Sequence, residues 1–301
     1  RKQYCLPTAI YFSKKTDAPI IFGEDALKML PMDPQNVIYD VKRLLGRRMD
    51  DLEMVQFQDA HMFKVIGDTY PRIWVPNHKM WISPEQVLAV VLVHLMQMAS
   101  LHFQAPYIRD VVVSIPAYFH NAQRKSVRSA CHLAGLNLLK LVVEPTAAAL
   151  AHSYYSATPD DNYKQFLTFD CGGGTTDCRT EGNSSLGGID FDGVIQELLF
   201  EKFRDEHGWT TANAEMKAQI IRESEKVKRS LTENDHETVS LKYNDVYFSV
   251  KITREEFETH PRTLALVQQA IDTVKRAIAN ARMEKRSGMT DVPLLKSNIR
   301  M

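Results

Sequence analysis

Apolar residues follow two rhythms along this chain. After Asn121 the rhythm is helical: Val127, Ala130, Cys131 and Ala134 recur at i, i+3, i+4 and i+7, and Gly135 is placed to close the helix. In Asp110 to Ile115 (DVVVSI) and Leu139 to Val143 the apolar residues run on, as in strands covered on both faces, and Pro116 ends the first. Ser83-Pro84-Glu85-Gln86 predicts a capping box that launches a helix through Ser100, apolar nearly all round and so expected to be buried on several sides. Glu144-Pro145-Thr146 opens an alanine-rich helix, Ala147 to Tyr155.

Earlier, Ala18 to Leu30 predicts a turn and a short helix, and Asn36 to Leu45 a helix after the break at Pro34. Val55-Gln56-Phe57 and Phe63 to Ile66 alternate like strands. Polar Thr158 to Lys164 is the expected boundary between two parts of the chain, and Phe166 to Phe169 the next strand. A helix over Ala214 to Leu231, strands near Val239 to Leu241 and Tyr247 to Val250, and helices from Arg254 and over Leu264 to Ala281 follow. The order is mixed α/β.

Three consecutive glycines interrupt this pattern in FDCGGGTTDC, Phe169 to Cys178. An ordinary hairpin needs one or two glycines. Three leave backbone N–H groups without side-chain walls, open to close approach by an outside group. The spacing D-x-G-G-G-T-x-D sets a carboxylate on each arm of a hairpin, with a hydroxyl beside the glycines. Amides suit phosphate oxygens, and flanking carboxylates suit Mg²⁺ with part of its water shell. Asp177 stands where a dinucleotide fingerprint needs Gly, and no G-K-[ST] follows as in a P-loop. The alternative is a plain surface hairpin.

Three further segments carry candidate chemistry. In ESEKVKRSLT, Glu225, Lys228, Arg229 and Thr232 form one polar helix stripe, able to meet a purine and ribose or to make an ordinary exposed i,i+4 pair. In DVKRLLGRR, Lys42 is followed by Arg43, Arg47 and Arg48, which read as a solvated face. SIPAYF is a proline-ended strand, and Glu144 later sits at a strand-to-helix turn.

Charge narrows the partners. Lys plus Arg and Asp plus Glu both number 37, so the net charge is zero and the basic footprint of a nucleic-acid binder is missing. The longest apolar run, Val87 to Met96, contains His94 and is shorter than the ~18 residues of a membrane span, so no membrane partner is expected. Cys5, Cys131, Cys171 and Cys178 form no C-x-x-C pair; they read as free thiols in a reducing, cytoplasmic setting. The chain begins RKQYCLP and ends LLKSNIRM, and both ends read as cut.

Taken together, YDVKRLLGRRMDD, VVVSIPAYFHNAQRKSVRSACHLAGLNLLKLVVEPTAAALAHS, FDCGGGTTD, LGGIDFD, ESEKVKRSL and VKITREEFE resemble, in the same order, the nucleotide-binding domain of the Hsp70 chaperones. The resemblance implies the actin-like ATPase (ribonuclease H-like) fold: two lobes, each with an inner α/β subdomain, and a nucleotide cleft between them. Lobe I would span residues 1–160, with an outer subdomain at about 20–104. Lobe II would span 161–301, with an outer subdomain at about 190–256. It makes Lys42 the cation near the transferred phosphate. Glu144, Asp170 and Asp177 would serve Mg²⁺ through water, and Thr175 and Asp177 would orient the attacking water. Gly172, Gly173 and Gly174 would wrap the phosphates of ATP or ADP. Glu225, Lys228, Arg229 and Thr232 would hold adenosine, and Pro116 and Arg124 would relay the nucleotide state to a partner domain.

The implied function is ATP hydrolysis coupled to a peptide-binding domain outside this chain, answering to a J-domain co-chaperone and a nucleotide-exchange factor and acting on client peptides. The alternative is an Hsp110-like exchange regulator with little ATPase activity; an actin-like filament protein or sugar kinase is disfavoured by EPTAAALA and ESEKVKRSL. The resemblance also implies a phosphate loop before Arg1, an adenosine loop after Leu295, and a further strand and turn between Asp177 and Leu186, where eight residues stand. Segments are therefore expected to be missing near Arg179–Gly182 and Leu295–Lys296. Ile189 replaces a usual Glu, Thr176 a usual Phe, and Cys171 and Cys178 aliphatics.

Overall fold

A computed structural model describes residues 6–15, 17–105, 108–156, 167–178, 181–183, 186–209, 213–243 and 246–286. The N-terminal half begins with β1 (Ala9–Tyr11), β2 (Ile21–Phe22), α1 (Gly23–Lys28) and β3 (Val37–Tyr39); the strands form an antiparallel sheet of order β2-β1-β3. Next come α2 (Leu52–Ala60) and an antiparallel meander of β4 (Val65–Ile66), β5 (Arg72–Val75) and β6 (Met80–Ile82). Helix α3 (Pro84–Phe103) leads to β7 (Asp110–Ile115), α4 (Asn121–Leu133), β8 (Asn137–Val143) and α5 (Glu144–Ser156). β7 and β8 are parallel, which requires a crossover, and α4 supplies it.

The C-terminal half contains β9 (Phe169–Cys171), β10 (Thr176–Cys178) and β11 (Glu181–Asn183), in the order β11-β10-β9. Helices α6 (Gly188–His207) and α7 (Ala214–Ser230) follow, then the hairpin β12 (His236–Tyr243) and β13 (Val246–Thr253), α8 (Arg254–Thr259) and α9 (Pro261–Arg286).

Local chemistry accounts for several boundaries. At the start of α3 the Gln86 N–H donates to Ser83 Oγ (3.2 Å) and the Ser83 N–H to Gln86 Oε1 (2.8 Å), the expected reciprocal cap. Gly135 lies at φ 70° just past α4, where a side chain would be strained. Val127, Ala130, Cys131 and Ala134 are buried as their spacing predicts.

Other expectations are corrected. Asn36 to Leu45 is not a helix. Val37, Ile38 and Tyr39 pair with Tyr11, Ile10 and Ala9, and Asp40 then turns the chain in the left-handed region (φ 56°) before a 3-10 turn at Val41–Leu44. Val55-Gln56-Phe57 lies within α2: Met54 and Phe57, three apart, are buried, while Val55 faces out. Of Phe63 to Ile66, only Val65–Ile66 is strand.

The strands and α3 are also less enclosed than expected. Val112 and Leu139 are exposed, and β7 and β8 form a sheet of two strands among the described residues. Helix α3 buries Val87, Ala89 and Val91, but Leu101 and Phe103 at its far end are exposed. By length and composition it could cross a membrane, with 17% of its apolar window buried. The expected boundary at Thr158 to Lys164, the joins near Arg179 and Leu295, and Cys5 lie outside the described residues. Among the described residues, Cys131 and Cys171 are free thiols.

The packing divides between the halves. One core is built only from residues between Leu186 and Leu266, including Phe203, Ile195 and Met216. Two others lie in the N-terminal half. A fourth joins Ala218 of α7 to Ala9, Tyr11, Leu30 and Val37, so the halves touch.

Candidate functional site

The register of β9 against β10 sets the first geometry. Asp170 and Asp177 are direct cross-strand partners and share a face of the hairpin. The adjacent pair, Cys171 and Thr176, belongs to the other face, where the buried Thr176 hydroxyl donates to the Leu186 carbonyl (2.8 Å). The Gly172 N–H donates to Thr175 O (2.9 Å) and closes the turn.

None of the three glycines has positive φ, so the turn itself does not demand them. A Cβ on Gly173 would meet nothing within 4 Å, leaving its backbone open. Their carbonyls have defined partners. The Gly188 N–H donates to Gly172 O (2.9 Å) and the Ile189 N–H to Gly173 O (2.8 Å), so the hairpin is fastened to the start of α6. A Cβ on Gly187 would come within 2.6 Å of Gly173 O, so this approach requires glycine.

Asp177 is fully buried. Its Oδ1 accepts the Ala117 N–H (3.0 Å), while Oδ2 is buried without a hydrogen-bond partner. Burial pushes its pKa up to about 7, against the Ala117 bond and the Lys42 charge, with Glu144 and Asp170 adding to the rise. Ala117 follows buried Pro116, and the Arg124 Nε–H donates to Phe119 O (2.7 Å), two residues beyond Ala117.

Lys42 lies in the 3-10 turn after β3, and its Nζ donates to Glu144 Oε1 at 2.8 Å. Glu144 opens α5, where an acid is favoured by the helix dipole. Thr175 is buried beside the same group. Tyr118 was not singled out in the sequence, yet it stands here too. Burial first, then the Asp177 charge, raises its pKa; Thr175 opposes the rise.

The helix stripe expected to hold adenosine divides. Lys228 pairs with Asp192 (2.6 Å) and donates to Gly188 O (2.8 Å), which brings it to the turn that backs the glycine hairpin. Glu225 and Arg229 are exposed and paired with each other at 3.4 Å, and Thr232 Oγ1 donates to Lys228 O (3.5 Å).

The reading of Arg43 and Arg47 as a solvated face is corrected. Their side chains are 18% and 12% exposed, against 53% for Arg48. Arg43 donates to both carboxylate oxygens of Asp190 and to Gly174 O. Burial opposes its charge, but the Asp190 bond and the nearby Asp40 and Asp190 charges prevail and raise its pKa. Asp190 had a signal in the sequence, an acid in the first turn of a helix after a Gly-Gly pair.

The donor set fits Mg²⁺ held through water. Among the described residues, no three His, Cys, Asp or Glu side chains close into a direct metal cage. The orphaned Asp177 oxygen, with Asp170 opposite and Glu144 nearby, suits a hydrated hard cation.

Known proteins place this chain in a family. The Hsp70 protein family matches residues 2–301. The "Chaperone protein DnaK" of Anaplasma marginale is 31% identical over 315 aligned positions, covering 98% of this chain and 47% of its own length. The "Heat shock protein SSC3, mitochondrial" of Saccharomyces cerevisiae is 30% identical, with the same coverage. The chain thus spans about half the length of these relatives. With the family matched across nearly every residue, the chain belongs to the Hsp70 family.

Proposed function

We propose that this chain is an ATP-binding and ATP-hydrolysing nucleotide-binding domain of an Hsp70-type chaperone, with the actin-like two-lobed fold and the nucleotide between its lobes. The observation that carries the reading is the convergence of Asp170, Asp177, Glu144 and Lys42 beside an open glycine turn, although they come from both halves of the chain. The separate core of residues 186–266 supports a second lobe.

Phosphoryl transfer to water needs positioning and charge stabilisation more than covalent chemistry. Here Gly172, Gly173 and Gly174 receive the phosphates. Lys42 neutralises charge on the transferred group, and Glu144 holds Lys42 in place. Asp177 and Thr175 orient the attacking water, with the Ala117 amide fixing Asp177. Mg²⁺, when bound, would neutralise phosphate oxygens, and Asp170, Asp177 and Glu144 are the residues to hold it through water. Lys228, Glu225, Arg229 and Thr232 take the adenosine. Pro116, one residue from the Ala117 amide, and Arg124 pass the state of the site towards the peptide-binding domain outside this chain. J-domain, exchange-factor and client partners follow from the same reading.

Single-turnover hydrolysis of ATP tests it. Phosphate release that depends on both Mg²⁺ and Lys42 supports the proposal. No hydrolysis, joined to faster nucleotide release from a conventional Hsp70, favours the exchange regulator instead.

A further inference from the structure

His61 has no part in the nucleotide reading, yet its ring is buried and closely held. Phe57 stacks flat on it, with centroids 3.7 Å apart and 10° between the planes. Tyr39 lies at 4.9 Å and Phe63 meets the ring edge-on at 5.4 Å. Nδ1 lies 2.7 Å from the Phe57 carbonyl, which can only accept, so Nδ1 carries a hydrogen. Nε2 faces Asp40 Oδ2 at 3.6 Å, and both atoms are buried without a hydrogen-bond partner. Neither neutral tautomer serves both contacts. One sets a bare Nε2 against a carboxylate oxygen, the other a bare Nδ1 against a carbonyl. Only the imidazolium offers a donor to each, and the three rings around it suit a cation. Among the described residues, two other titratable groups face this pair. The Arg43 guanidinium has its Nε 3.5 Å from Asp40 Oδ2, and the Tyr39 hydroxyl is kept neutral because burial, then the Asp40 charge, raises its pKa.

Asp40 is the residue that turns the chain out of β3. It sits at φ 56°, its carbonyl accepts the Arg43 N–H (3.1 Å), and the 3-10 turn Val41–Leu44 begins beside it. Such a backbone conformation persists where the surroundings fix it. Lys42 rides on that turn and reaches Glu144 from it. We propose that His61, as an imidazolium, clamps Asp40 and thereby positions Lys42 for phosphoryl transfer. The last step of this inference rests on the nucleotide reading above. His61 acts through Asp40, so it is a positioning residue, and the proton it carries makes the clamp depend on pH. When that proton leaves, Nε2 and Asp40 Oδ2 become two acceptors facing each other away from water. The clamp then opens and the turn is freed.

Two readouts need no nucleotide. Ring nitrogen shifts of His61, identified by their loss in His61→Gln, report its protonation between about pH 5.5 and 8.5. Amide hydrogen exchange over residues 40–45, compared between wild type and variant at the same pH, reports the turn. The third readout is single-turnover hydrolysis beside ATP affinity. It is taken as the ratio of wild type to variant at each pH, because Asp177 titrates in the same range. The wild-type ring is expected to be doubly protonated at the acid end, and on becoming neutral to lose the Nε2 hydrogen and keep that on Nδ1. His61→Phe keeps a flat ring and loses both donors. At the acid end it is expected to speed exchange in the turn and slow hydrolysis about tenfold, with ATP affinity nearly unchanged. That hydrolysis ratio should shrink towards one as pH rises. His61→Gln gives Asp40 an uncharged donor. It should restore most of both effects and hydrolyse faster than wild type at the alkaline end.

A neutral ring with its hydrogen on Nε2, or unchanged turn exchange in His61→Phe, overturns the clamp. Faster exchange with unchanged hydrolysis, or a hydrolysis ratio indifferent to pH, overturns its role in positioning Lys42. If His61→Phe does not fold, the ring shifts and His61→Gln still decide. If the wild-type chain neither binds nor hydrolyses ATP, the nucleotide reading fails and the positioning of Lys42 for transfer fails with it, while ring shifts and exchange still decide whether the clamp exists.

Discussion

Lys42 and Glu144 are 102 residues apart in sequence, and 2.8 Å separates Lys42 Nζ from Glu144 Oε1. A cation in a 3-10 turn and an acid at a helix start are thereby placed beside buried Asp177, whose own carboxyl is raised by one and lowered by the other.

Removing that cation separates binding from chemistry. Lys42→Ala is expected to change ATP affinity by less than about tenfold and to slow hydrolysis by about 10²-fold or more, the scale of losing one transition-state donor. Parallel titration and single-turnover assays measure both.

Asp177 gives the site a pH dependence. The folded carboxyl keeps its proton up to about pH 7, whereas the ordinary value is 3.8, so the folded state binds more protons between those values. Stability without metal should therefore fall as pH rises through that window, by at most about 4 kcal/mol. Asp177→Asn should remove that slope, and Mg²⁺ with nucleotide should bind more tightly as pH rises from 5 to about 8. Denaturant melts and Mg²⁺ titrations across this range check the sign.

Two glycines should behave oppositely. Gly187→Ala forces a Cβ to 2.6 Å from the Gly173 carbonyl and must displace the hairpin, at a cost of about 1–3 kcal/mol and with weakened nucleotide binding. Gly173→Ala meets no neighbour within 4 Å, so its melting temperature should hold while the new methyl obstructs the phosphates. Thermal melts beside ATP titrations distinguish a folding defect from a binding one.

The Thr176 hydroxyl has a structural use. Thr176→Val leaves the Leu186 carbonyl without its 2.8 Å donor and should destabilise the protein by about 1–3 kcal/mol. Chemical denaturation measures the loss.

The glycine turn and its two aspartates were legible in sequence because D-x-G-G-G-T-x-D sets side-chain type and strand parity at once. The capping box at Ser83 and the α4 stripe were legible for the same local reason. What escaped was tertiary. DVKRLLGRR contains four cations, and nothing in their spacing says that Arg43 turns inward to Asp190 while Arg48 stays out. Tyr118 is one aromatic among several until the Ala117–Asp177 bond brings it to the site. Val55-Gln56-Phe57 alternates over three residues, too few to tell a strand from the Met54–Phe57 face of a helix. In Asn36 to Leu45, pairing with β1 outweighed any helical preference, because Val37, Ile38 and Tyr39 pair their backbone with β1 while Val37 and Ile38 bury their side chains.

The central claim is that this chain holds a nucleotide triphosphate at the glycine hairpin with Mg²⁺. Calorimetric titration of the protein with ATP, with and without Mg²⁺, tests it most directly. Saturable one-to-one binding that tightens with Mg²⁺ and weakens in Asp177→Asn is the expected result. No heat of binding in either condition, or binding indifferent to both Mg²⁺ and Asp177, would contradict it.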